Sequence, residues 1–136
     1  MKKIALIVSG LLISTVGFAG IGQDTGKTTC HIYHKNKLLK SLTCSYDRAE
    51  GAGGTYAFRT GDYKIPGFGV MNTSFSVDGY DSNGRGTGTT VTLNDEPAIR
   101  RYRLPSNKKI VSNTYAETHD ALECYLSKKS QWEICT

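Results

Sequence analysis

Cys30-His-Ile-Tyr-His-Lys-Asn-Lys-Leu-Leu-Lys-Ser-Leu-Thr-Cys44 reads as a strand, a polar turn around His34 to Lys37, and a second strand. Folding this stretch at Lys37 sets Cys30 opposite Cys44. The arrangement recurs in Cys124-Tyr-Leu-Ser-Lys-Lys-Ser-Gln-Trp-Glu-Ile-Cys135, with its midpoint at Lys129 and Ser130. Four cysteines allow three pairings, and these local patterns favour Cys30–Cys44 and Cys124–Cys135, each stapling a hairpin. Closing a loop of this length is worth about 3 kcal/mol in the chain-entropy model.

Outward from these two hairpins the signals stay strand-like. Short runs rich in Tyr, Phe, Val, Ile and Thr fall at 29–34, 38–46, 55–60, 63–65, 70–77, 87–93, 98–104, 109–111, 122–126 and 131–135. Gly, Pro, Asn and Asp punctuate them at 50–54, 66–69, 78–86, 94–97 and 105–107. The even spacing predicts a mostly β fold, a small antiparallel sandwich or barrel. One short helix is expected within 113–124, where Thr114 and Glu117 have capping-box spacing and Tyr115, Ala116, His119 and Leu122 recur near a helical period.

The chain begins with Lys2 and Lys3, an apolar run from Ile4 and a Gly17-Phe18-Ala19 ending, the pattern of a secretory signal peptide over 1–19 cleaved near Ala19/Gly20. Its apolar run is too short and too interrupted to span a bilayer, and no second one follows, so no transmembrane segment is expected after processing. Removing it takes away two lysines and lowers the formal charge from +5 to about +3. Residues 20–28 lack a hydrophobic period and read as a flexible lead-in to a single β-rich domain over 29–136. Export to the periplasm or beyond suits paired cysteines. With no Cys-x-x-Cys pair, a metal site is not expected, and no cofactor is implied.

Several motifs resolve into ordinary chemistry. Gly26-Lys27-Thr28 ends like a phosphate-binding loop, but Ile21 stands where the first glycine is required. His31 and His34, three apart on a strand, point to opposite faces, and His119 beside Asp120 lacks a partner geometry for general-base work. No serine-hydrolase elbow, zinc-protease helix or cysteine-protease signature occurs, so no catalytic residue is assigned. The acids Asp47, Glu50, Asp78 and Asp81 sit at Gly-rich turns and have turn roles.

The densest basic cluster is Arg100, Arg101 and Arg103, followed by Lys108 and Lys109. Strand alternation puts Arg101 and Arg103 on one face and Arg100 with Tyr102 on the other. A modest charge with scattered cations argues against nucleic acid as a partner. The eight tyrosines suit half-buried sheet faces and protein-binding surfaces alike.

Glu50-Gly51-Ala52-Gly53-Gly54-Thr55-Tyr56 resembles the Gly-rich, Tyr-terminated loop of bacterial periplasmic lysozyme inhibitors of the MliC type. The resemblance implies a small disulfide-bearing antiparallel β-barrel that inserts this loop into an enzyme cleft. Glu50 and Ala52 stand where that family carries small hydroxyl residues. The expected function is therefore that of an exported non-enzymatic binding protein, an inhibitor or immunity-type protein acting on a cell-wall hydrolase or an envelope-directed toxin. Its partner-binding residues are expected to be Glu50, Gly51, Gly53, Tyr56, Arg100, Arg101 and Arg103. The alternative is an envelope or surface component that binds anionic glycan or lipid through Lys35, Lys37, Lys40 and the basic stretch 100–109.

Overall fold

A computed structural model describes residues 21–53, 56–79, 82–83 and 87–136; the expected signal peptide lies outside them. In chain order the elements are β1 (Gly22–His34), β2 (Lys37–Gly53), β3 (Tyr56–Ile65), β4 (Gly69–Val77), β5 (Thr89–Leu93), β6 (Glu96–Arg103), β7 (Ile110–Val111), α1 (Asn113–Thr118), β8 (Leu122–Ser127) and β9 (Trp132–Cys135). Every pairing is antiparallel. The order β5-β4-β3-β2-β1-β9-β8-β6 closes on itself through β5–β6, giving an eight-stranded barrel with β7 as an extra strand beside β6. Of the two expected architectures, the barrel is the one formed.

The turns explain the register. Lys35 and Asn36 both take positive φ (50° and 64°), as do Asn94 and Asp95 (51° and 63°). Two such residues in succession make the hairpin turn whose twist matches the flanking strands. Accordingly His34 pairs with Lys37, and Leu93 with Glu96. Leu39 is an extra residue on β2, where the β1–β2 register shifts between Ile32 and Tyr33.

Both staples form as expected, Cys30–Cys44 and Cys124–Cys135. The first lies in the barrel core with Ile32, Tyr63, Ile65, Met71, Leu93, Tyr125 and Ile134. The second lies on the outer face, in a small separate core with Tyr33 and Leu122. Two sequence readings need correction. Residues 22–28 are not a loose lead-in, because they form the first half of β1 and pair with 44–50 of β2. Segments 55–60 and 63–65 are one strand, since Gly61 continues the ladder: a Cβ there would sit 2.7 Å from the Tyr63 ring, so the missing side chain makes room for the aromatic. The helix is confined to six residues, capped by the Ser112 side chain, which accepts from the Tyr115 N–H.

His31 sits on the outer face and shares a 2.6 Å hydrogen bond, Nδ1 to Oγ, with Ser41. Burial lowers its pKa, and the Lys108 charge adds to the effect. A histidine that binds its proton less readily when folded loses stability as the pH falls through its unfolded value, near 6.5. We expect denaturant-derived stability to decline below about pH 6.5, and His31→Gln to flatten that decline; equal pH profiles for the two proteins would contradict the assignment.

Candidate functional site

Because all eight barrel strands run alternately up and down, the molecule has two ends. One is built from the β1–β2, β3–β4, β5–β6 and β8–β9 turns. The other, the mouth, carries the start of β1, the β2–β3 hairpin and the entry to β8. Interior positions are apolar toward the turn-built end and become charged at the mouth, where pairs Asp24/Arg48 and Glu50/Arg59 face each other across neighbouring strands.

Arg59 is the hub of this polar end. Its Nη1 donates to Glu123 of β8 at 2.6 Å and its Nε to Glu50 of β2 at 3.3 Å. Burial opposes the Arg59 charge, but Glu123, Tyr125 and Glu50 outweigh it and raise the pKa above the ordinary arginine value. Tyr125 donates to Glu123 at 2.7 Å. Burial pushes that phenol far above the tyrosine range, and Glu123 adds to the rise. Arg48 donates to Asp24 at 3.2 Å and stacks on the Tyr46 ring at 3.9 Å. Two clefts open here, of about 450 Å³ and 290 Å³, and both are lined by Glu50 and Arg59.

The smaller cleft also touches Gly51, Ala52, Phe58, Phe75 and Arg100. Arg100 lies 3.9 Å above the Phe75 ring, and among the described residues no carboxylate is within 4 Å of it. Gly51 has a steric reason: a Cβ would stand 2.6 Å from Phe58, whose ring covers it on the outer face. Tyr56 packs at a tilt on Phe58, with 5.7 Å between centroids, and remains 46% exposed. Residues 51–53 are thus strand rather than an open turn. The β2–β3 ladder runs through Gly53 opposite Tyr56, and residues 54 and 55 lie outside the described residues.

The structure divides the expected binding residues. Glu50, Gly51, Gly53, Tyr56 and Arg100 come together at the mouth. Arg101 and Arg103 do not: they point outward from β6 and close on Glu133, which is fully buried. Arg101 Nε and Nη2 reach its carboxylate at 2.6 and 2.9 Å, and Arg103 Nη2 at 2.7 Å. Arg103, 5% exposed, also donates to Asn36 Oδ1 and to the Lys108 carbonyl and lies over the Tyr33 ring. Their expected place among the partner-binding residues is therefore corrected: both are committed to a largely buried ion triad on the outer face of the barrel. Residues Arg48, Arg59 and Glu123 were not singled out in the sequence. Antiparallel pairing of β2 with β3 sets Glu50 opposite Arg59, but Glu123 arrives from a strand 64 positions away.

Cys124, Cys135 and Glu133 bring possible metal-binding atoms within 4.8 Å of one another. The two sulfurs are bonded to each other and the carboxylate to two guanidinium groups, so no ligand set is free there. His119 stacks on Tyr115 at 3.8 Å, its Nδ1 lies 3.0 Å from the Tyr115 carbonyl, and it lines neither cleft. No helix among the described residues is long and apolar enough to cross a membrane. Comparison with protein-family models, curated proteins and solved structures gives no match.

Proposed function

We propose that this is an exported, non-enzymatic protein that inhibits or neutralises another protein, a cell-wall-cleaving enzyme or an envelope-directed toxin, through the rim of the barrel mouth. The observation that carries the reading is Tyr56, exposed on the β2–β3 ladder opposite Gly53, beside a cleft lined by Glu50, Arg59 and Arg100, the last without an ion pair among the described residues. Tyrosine and arginine are the side chains that most often dominate protein–protein affinity. A hairpin paired to its last described residues loses little freedom on docking, which favours tight binding over a small area.

The same groups are poorly arranged for catalysis. Among the described residues neither cleft is lined by a histidine or cysteine, and Glu50 and Glu123 are both tied to Arg59. The stretch resembling the lysozyme-inhibitor loop falls on this rim, which supports the same reading. Two disulfides fit an extracellular or periplasmic setting.

The test is the affinity of hairpin variants for a captured partner. Tyr56→Ala is expected to weaken binding by a factor of at least about 30, the effect of losing a hot spot of 2 kcal/mol or more. Gly53→Arg, at an exposed position of the same rim, should weaken it comparably. Unchanged affinity in both variants, with thermal unfolding as in the parent, would place the partner site elsewhere.

A further inference from the structure

The end of the barrel opposite the mouth carries a different surface. The topology gathers Lys35 and Lys37 at the β1–β2 turn, Lys40 close by on β2, and Lys128 and Lys129 in the β8–β9 turn, all exposed. The two basic turns are joined directly, the Lys35 N–H donating to the Gln131 carbonyl at 3.1 Å. None of these lysines forms an ion pair among the described residues, where every salt bridge uses an arginine. Among the described residues the acids at this end are Asp95 and Glu96 of the β5–β6 hairpin and the buried Glu133 next to Trp132, which is paired with Arg101 and Arg103; Glu96 accepts from the Ser127 hydroxyl at 2.8 Å. At the mouth, by contrast, Arg48 and Arg59 are paired with Asp24, Glu50 and Glu123. Among the described residues this pole thus sets five exposed lysines against the two carboxylates of the β5–β6 hairpin.

Aromatic rings occupy the centre of that pole. His34 stacks on Trp132 at 4.4 Å, Phe68 meets Trp132 edge-on at 6.2 Å, and Lys40 Nζ lies 5.6 Å from the Phe68 ring centre. Phe68 is 37% exposed at the tip of the β3–β4 turn. Its turn is held out by Gly67 and Gly69, both at positive φ, with the Phe68 N–H donating to the Ile65 carbonyl. Lysines around a partly exposed aromatic tip match a bilayer interface, where rings sit at headgroup level and cations meet anionic phosphates.

We propose that this pole docks on an anionic phospholipid surface, leaving the mouth directed away from the membrane toward its protein partner. Arg101 and Arg103 of the basic stretch 100–109 are held by Glu133 and by Asn36 of the β1–β2 turn, so their charge is already engaged. The assignment is independent of the role given to the mouth, and either can fail alone.

Trp132 is the only tryptophan of the chain, so its emission reports on this pole without a label. The mature oxidised protein is titrated with vesicles of phosphatidylglycerol and phosphatidylethanolamine, and separately with phosphatidylcholine. A blue shift and co-sedimentation with the anionic vesicles alone, weakening as salt is raised, are expected. Each lysine removed should lower the partition coefficient about fivefold, so Lys128→Gln with Lys129→Gln should lower it about 20-fold or more. Phe68→Ser should weaken partitioning too, whereas Arg100→Ala at the mouth should leave it unchanged. Equal binding to zwitterionic vesicles, no binding to anionic ones, or full binding by the double lysine variant would overturn the proposal. So would retention on a soluble acidic polysaccharide with none on vesicles.

Discussion

Replacing Glu133 with alanine is expected to cost about 3–5 kcal/mol of folding stability, the effect of removing one partner from a buried ion pair. Glu133 is fully buried and takes three charge-assisted hydrogen bonds from Arg101 and Arg103. Without it, the Arg103 guanidinium would keep only neutral acceptors, Asn36 Oδ1 and the Lys108 carbonyl, in a site closed to water. In a domain of this size the melting temperature should fall by more than about 10 °C. Lys109→Ala removes an exposed cation of the same basic stretch and should change stability by no more than about 0.5 kcal/mol. A Glu133→Ala protein that melts with the parent would show that the triad is not a structural lock.

Reduction of the two disulfides is the second large effect. Cys30–Cys44 and Cys124–Cys135 close short loops, with sequence separations of 14 and 11, and each is worth about 3 kcal/mol in the chain-entropy model. They sit in different clusters, the first inside the barrel and the second on its outer face, so their losses should add to within about 0.5 kcal/mol. A combined loss of about 6 kcal/mol would consume most of the 5–15 kcal/mol typical of a native domain. The denaturant midpoint should fall stepwise from the parent through each Cys→Ala pair to the fully reduced chain. A reduced protein with the parent midpoint would mean that the barrel does not depend on its staples.

How far these features were legible follows from the range of each interaction. The staples and the β1–β2 and β8–β9 hairpins are local, and cysteine spacing with polar midpoints discloses them. Barrel closure depends on β1 meeting β9 at His31 with Cys135, which no local pattern announces. The first half of β1 escaped because Gly22, Asp24 and Gly26 face the polar mouth, so neither side of that strand is hydrophobic and the two-residue period vanishes. Gly61 looked like a break because its role is to accommodate Tyr63.

The site was half legible for the same reason. Alternation separates Arg100 from Arg101 and Arg103, but only the fold discloses that Glu133 claims the latter two. The Gly-rich stretch marked the rim because its glycines and Tyr56 are contiguous. Arg59, which ties β2 to β8, is visible only once Glu123 is brought beside it. The pole of lysines likewise joins turns some ninety residues apart, linked by the hydrogen bond from Lys35 to Gln131.

The most direct test of the mouth as a protein-binding face is affinity capture. The mature oxidised protein and its Tyr56→Ala variant are immobilised in parallel, and envelope and secreted fractions of its own and competing cells are passed over both at moderate salt. A single wall-cleaving enzyme or toxin held by the parent and released by the variant is the expected result. Equal retention on the two columns, or no protein retained on either, would contradict it.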